Sequence, residues 1–175
     1  KLYSEGLIIL SGCLGGEISR YLSSDQYPKA KETIDFYKKI VGEDNYYLEI
    51  QRNGVEEQDF VNEILIQLSK ETQTPLVATC DVHFFEPNDS KIQEILWAIS
   101  DGKRIDDETR RRTHGDEFYL KSSKEMEVLF SDIPQAIENT NVIADSVENY
   151  SITYERVQPK FWNRSDDDSP KEILK

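Results

Sequence analysis

Short apolar runs alternate with longer amphipathic stretches over the first hundred residues. Gly6 to Leu10 (GLIIL) is brief, rich in β-branched residues and bounded by Ser11, Gly12 and the Gly15-Gly16 pair, which predicts a buried strand. A helix is expected from about Glu17 to Leu22. Pro28 suits a helix first turn, and Ala30, Ile34, Tyr37 and Val41 recur at helical spacing until Gly42 closes the segment. Tyr46 to Ile50 (YYLEI) reads as a second strand. Val61, Ile64, Leu65 and Leu68 form a stripe that predicts a helix from about Gln58 to Lys70, and the strand after it ends at Asp81. Asn88 or Asp89 can cap a further helix with a buried stripe of Ile92, Ile95, Leu96 and Ile99, ending near Gly102.

Strands and helices that alternate with short connections imply parallel pairing and right-handed crossovers, in an open doubly wound sheet or a barrel. Periodicity does not choose between the two. Phe118 to Lys121 is a fourth short strand candidate. Ser122-x-x-Glu125 is a capping-box pattern opening a helix with Met126, Leu129 and Phe130, and Pro134 restarts helix with Ile137, Thr140 and Ala144 on one stripe. Past Tyr150 periodicity stops and Pro159, Pro170 and Asp166 to Asp168 accumulate. Residues 1–150 therefore read as the folded unit and 151–175 as an extended connector toward another domain. The chain reads as a piece cut from a longer protein.

Composition narrows the setting. At 175 residues, with 37% hydrophobic and 31% charged residues, the chain is long enough for one domain with a real core. Cys13 and Cys80 are the only cysteines, and no apolar stretch approaches the length of a membrane span, so a reducing, cytoplasmic setting without a membrane is expected. With 21 basic against 34 acidic residues the formal charge is -13, which opposes sequence-independent capture of a phosphate backbone. The basic cluster of Lys103, Arg104, Arg110, Arg111 and Arg112 is interleaved with Asp106, Asp107 and Glu108 and reads as a solvated mixed-charge loop.

Candidate chemistry lies where apolar runs stop. In PLVATCDVHFF, Asp81 and His83 are spaced i and i+2, so on a continuing strand they point the same way while Cys80 and Val82 point the other. Strand ends of parallel α/β folds open onto the binding face. Cys13 follows the first strand at the equivalent location. A thiolate, a carboxylate and an imidazole together suit zinc or manganese-like divalent ions, although three ligand types alone are an incomplete set. Cys80 is expected to be structural. Glu49, at the end of its strand, is either an acceptor that supports a ligand residue from behind or an ordinary strand-end carboxylate, and His114 has no ligand-like neighbour in sequence.

The runs GLIILSGCLGGEI, YYLEIQRNG, PLVATCDVH and DEFYLKSSKEM, in this order over about Gly6 to Val147, resemble the second half of the polymerase and histidinol phosphatase (PHP) domain of bacterial DNA polymerase III alpha subunits. QPKF at Gln158 to Phe161 resembles the exit toward the polymerase palm. The resemblance implies a partial, distorted seven-stranded β/α barrel with up to three metal ions at the C-terminal strand ends. It places Cys13 where the family has a His or Cys ligand, and Asp81 with His83 on the final Asp-x-His ligand pair, making this pair catalytic as well as metal-binding. The other family ligands belong to the first half of the domain.

The resemblance also carries an expected function. The parent would be a DNA-directed DNA polymerase whose PHP domain uses zinc, manganese or magnesium for phosphoester hydrolysis of the 3′ to 5′ exonuclease type. DNA, a proofreading exonuclease and the sliding clamp would be its partners. The alternatives are a non-catalytic docking platform within the replisome, which the acidic surface suits, and a free-standing PHP phosphatase, against which the DEFYLKSSKEM and QPKF segments argue. The isolated piece is expected to be inactive.

Overall fold

The structure is a computed structural model, which describes residues 3–148 together with 151 and 153. Parallel pairing joins β1 (Ile9–Leu10), β2 (Tyr46–Gln51) and β3 (Leu76–Thr79) in that spatial order, with Ile9 opposite Tyr46 and Leu48 opposite Leu76. Helices α1 (Glu17–Ser23) and α2 (Tyr27–Val41) form the first crossover, and α3 (Glu56–Thr72) forms the second. Right-handed crossovers that step the same way along a sheet put their helices on one face, and α1 packs directly on α3. That stepping is the order of a barrel wall, without the reversal of a doubly wound sheet. Three α-helices follow β3: α4 (Ser90–Ser100), α5 (Ser123–Leu129) and α6 (Pro134–Ser146).

The central strand β2 is buried on both faces apart from half-buried Glu49, as expected of a covered parallel sheet. Tyr46, Leu48 and Ile50 point into the core with Leu76 and Ala78 of β3, against Ile18, Leu22, Ile34, Val61, Leu65 and Leu68 of the helices. Each large aliphatic side chain among them contributes about 1.5–3 kcal/mol by leaving water. The opposite face of the sheet carries Tyr47, Glu49, Gln51, Val77 and Thr79 by the alternation of strand side chains. At the start of the long α3, Glu56, Glu57 and Asp59 meet the positive end of its dipole, and Gln73 ends it in a left-handed conformation at φ 53°. The start of β3 is tied by Asn139 of α6, whose Nδ2 donates to the Leu76 carbonyl at 2.7 Å.

Several expectations need correction. The first strand pairs only over Ile9 and Leu10, because Gly6 takes φ 76° and Leu7 turns back to the Ser4 carbonyl. The third strand ends at Thr79, two residues before Asp81. The fourth strand candidate contributes a single parallel bridge, Tyr119 to Phe84. Asp89 stands at the α4 N-cap, but its carboxylate accepts from the Glu86 amide instead of capping α4. The expected buried stripe of α4 is exposed: Ile92 at 56%, Ile95 at 47%, Leu96 at 54% and Ile99 at 71%. Periodicity placed these residues on one face correctly, but no described element covers that face. On α6 the buried positions are Ala136 and Asn139, and Ala144 is exposed. The capping box is formed as written: the Ser122 hydroxyl accepts from the Glu125 amide and the Glu125 carboxylate accepts from the Ser122 amide. The connector lies outside the described residues except for Ser151 and Thr153.

Candidate metal-binding cleft

Cys13 is presented by a loop that glycine makes possible. Gly12 turns the chain at φ 82°, and a Cβ on Gly16 would collide with the Ser11 and Cys13 carbonyls, so only glycine lets the loop fold back into α1. The Gly16 amide closes the loop on the Cys13 carbonyl at 2.8 Å. Glu49 fastens the loop to the sheet: its carboxylate accepts from the Gly12 amide at 3.2 Å, from Gln51 Nε2 at 2.9 Å and from the Thr79 hydroxyl at 2.5 Å. The Ser11 hydroxyl accepts from the Glu49 amide in return. Glu49 thus links the three strand ends, and its hydrogen bonds go to Gly12, Gln51 and Thr79.

Asp81 and His83 are brought together by a turn in place of the expected strand. Asp81 lies at φ 49°, a left-handed conformation that aspartate tolerates better than most residues. Its carbonyl is 2.6 Å from His83 Nδ1, and its carboxylate oxygen Oδ1 is 4.0 Å from the same nitrogen. An imidazole that donates from Nδ1 to a carbonyl keeps the Nε2 lone pair free, the arrangement that prepares a histidine to ligate or to accept a proton. The ring is held edge-on by Phe118 at 5.2 Å and Trp97 at 6.0 Å. The His83 amide donates to the Phe118 carbonyl at 2.8 Å, which locks the turn to the segment before α5. Cys80 faces away, with Sγ 3.5 Å from Met126 Sδ, in the structural role expected of it.

Cys13, Asp81 and His83 line one cleft of about 400 Å³ together with Glu57, Gln58 and His114. His114, which has no ligand-like neighbour in sequence, is brought to the cleft by the fold. It arrives through the segment 103–118, which is strapped to α4. Arg110 pairs with Glu94 at 2.7 Å, Thr113 donates its amide and hydroxyl to Glu94, and Arg111 pairs with Asp101 while lying over the Trp97 ring. Arg110 and Thr113 together hold the Glu94 carboxyl below its ordinary range against the opposing effect of burial, which is the largest single influence on it. Arg104 pairs with Asp106, so the basic cluster is largely engaged with local carboxylates, as the mixed-charge reading requires.

Among the described residues no three His, Cys, Asp or Glu side chains converge closely enough to hold a metal ion by themselves. The donor chemistry nevertheless fits a divalent cation: an adjacent carboxylate and imidazole with one ring nitrogen free, and a thiol lining the same cleft.

Comparison with known proteins identifies relatives of this chain. The PHP domain profile matches residues 1–53. The alpha subunit of DNA polymerase III from Borreliella burgdorferi is 43% identical over 152 residues, covering 87% of this chain and 13% of that protein. The Helicobacter pylori (strain ATCC 700392 / 26695) subunit is 41% identical over 155 residues, covering 83% and 13%. That of Mycobacterium leprae is 34% identical over 154 residues, covering 87% and 13%. Over more than four fifths of its length the chain is homologous to a segment of DNA polymerase III alpha subunits. It spans about 13% of the length of these relatives, and the PHP match covers the stretch that carries β1, the Cys13 loop and β2. No described helix is long and apolar enough to cross a membrane.

Proposed function

We propose that this chain forms the second half of the PHP domain of a replicative DNA polymerase III alpha subunit, and that the cleft between the Cys13 loop and the Asp81–His83 turn serves phosphoester hydrolysis in the whole protein. The supporting observation is that the sulfur, carboxylate and imidazole singled out in sequence line a single cleft at the strand ends. Upstream strands would complete the seven-stranded barrel and the ligand set. Cys13, Asp81 and His83 would then hold a zinc, manganese or magnesium ion, which supplies Lewis-acid activation of water and offsets phosphate charge. Asp81 fixes the His83 tautomer through its backbone carbonyl, Glu49 keeps the Cys13 loop in place, and Phe118 and Trp97 limit rotation of the His83 ring. The expected reaction is removal of nucleotides from a 3′ end, with DNA delivered by the parent polymerase.

The test is manganese- or zinc-dependent exonuclease activity of the full-length protein and of its Asp81→Ala and His83→Ala forms, with polymerase activity as the folding control. Each substitution is expected to lower exonuclease activity by about 10² or more while leaving polymerisation within about threefold. Equal exonuclease activity in all three proteins would remove the reading.

The exposed Ile92, Ile95, Leu96 and Ile99 face favours a second role, docking. Its proposed occupant is another part of the same polypeptide, since the aligned relatives are several times longer than this chain. Protection of α4 amides from hydrogen exchange in the full-length protein, and its loss in the 175-residue chain, would support that occupant; equal exchange would exclude it.

A further inference from the structure

We propose that His114 is the residue of this cleft that binds a phosphate oxygen, and that Glu94 positions it; this rests on the phosphoester reading above. The cleft is acidic, with Asp81 and Glu57 on its lining and no lysine or arginine among the described lining residues. A phosphate entering it needs a neutral or cationic hydrogen-bond donor. Gln58 is occupied, its Nε2 donating to Gln51 and its Oε1 accepting from the Asn53 amide. The Nδ1 of His83 is held by the Asp81 carbonyl. Of the nitrogen-bearing lining side chains, the imidazole of His114 is exposed and has no hydrogen-bond partner among the described residues.

The geometry places His114 on the same cleft as Asp81 and His83. Asp81, His83 and His114 do not converge on one cation-sized point among the described residues, yet they share a cavity of about 400 Å³, large enough for a phosphate group beside an ion. His114 and His83 share the wall of a second, smaller pocket with Trp97, Thr113 and Phe118, so the two imidazoles stand on the same side of the cleft. Placement is secured one residue earlier in the chain. Thr113 gives both its amide and its hydroxyl to Glu94 Oε1, at 3.1 and 3.2 Å, and Arg110 holds Glu94 Oε2 at 2.7 Å. Glu94 is therefore a positioning residue.

Binding of inorganic phosphate and of Mn²⁺ by the full-length protein separates this inference from the reading it rests on. His114→Ala is expected to raise the phosphate Kd by about fivefold or more, the loss of about one hydrogen bond, while the Mn²⁺ Kd changes by less than about twofold. Glu94→Gln is expected to weaken phosphate binding in the same direction. An unchanged phosphate Kd in His114→Ala, or weakened Mn²⁺ binding there, overturns the phosphate role, and a wild-type protein that binds no phosphate does so too. Failure of the wild-type protein to bind Mn²⁺ overturns the metal reading alone, because the comparison of phosphate affinities made without metal still decides the role of His114.

Discussion

Glu49→Ala removes the acceptor that joins all three strand ends. The carboxylate receives three hydrogen bonds, from the Gly12 amide, Gln51 Nε2 and the Thr79 hydroxyl. A hydrogen bond to a charged group is worth about 1.5–3 kcal/mol, but Glu49 is half-buried, so water can replace part of what is lost. The Thr79 hydroxyl can turn to Gln51, which already approaches it at 3.2 Å. About 1 kcal/mol for each of the three donors, or roughly 2–4 kcal/mol in all, is the expected destabilisation. Glu49→Gln keeps the shape and one acceptor oxygen but turns an NH₂ toward donors, so roughly 1–2 kcal/mol is expected. None of the three donors carries a charge, so an opposing effect exists: removing a poorly solvated carboxylate would stabilise the fold. Urea unfolding of wild type and both variants decides between them. Gly12 amide exchange should quicken in both variants if the Cys13 loop is released. A Glu49→Ala protein within about 0.5 kcal/mol of wild type, or more stable than it, would refute the network account.

Arg52 grips Asp132 through both terminal guanidinium nitrogens at 2.6 and 2.8 Å, reaches the Leu129 carbonyl and lies over Phe130; Arg52→Lys should cost about 1–2 kcal/mol in chemical denaturation, since a single ammonium cannot reproduce the fork. Ser122→Ala should cost about 1 kcal/mol of stability by removing the α5 cap. The Ser122 hydroxyl and amide, with help from the Tyr119 hydroxyl, hold the Glu125 carboxyl at about 2, below its ordinary 4.5. A depressed carboxyl stabilises the fold above the unfolded value and loses that contribution as pH falls through the folded one, so α5 should loosen between about pH 4.5 and pH 2, read by carboxyl NMR titration and lost in Ser122→Ala. Ile34→Ala, at a fully buried site, should cost about 2–5 kcal/mol in the 175-residue chain, whereas Ile99→Ala should change stability by less than about 0.5 kcal/mol; equal costs would contradict the exposed α4 face.

Features carried by local spacing were legible in the sequence. The stripe of Val61, Leu65 and Leu68, the YYLEI strand and the Ser122-x-x-Glu125 cap each depend on neighbours within one or two turns, and each formed as expected. Exposure of α4 was not legible, because spacing reports which side chains share a face and is silent on what lies opposite. The approach of Asp81 and His83 was anticipated for a reason that did not hold: alternation stops at Thr79, and a left-handed aspartate with a backbone hydrogen bond brings the pair together instead. His114 was out of reach for another cause. It joins the cleft through the Phe84–Tyr119 bridge and the His83–Phe118 hydrogen bond, contacts between residues far apart in the chain that leave no periodic trace.

The grip of Asn139 on Leu76 makes the sheet directional. One carbonyl of β3 is already taken by a side chain from α6, while the outer side of β1 meets no strand among the described residues. A strand supplied in trans can therefore zip on directly beside Ile9 and Leu10, whereas one pairing with β3 must first displace Asn139 from the Leu76 carbonyl. Split-protein complementation with a tethered β-peptide offers a way to use that polarity, since pairing would begin beside β1.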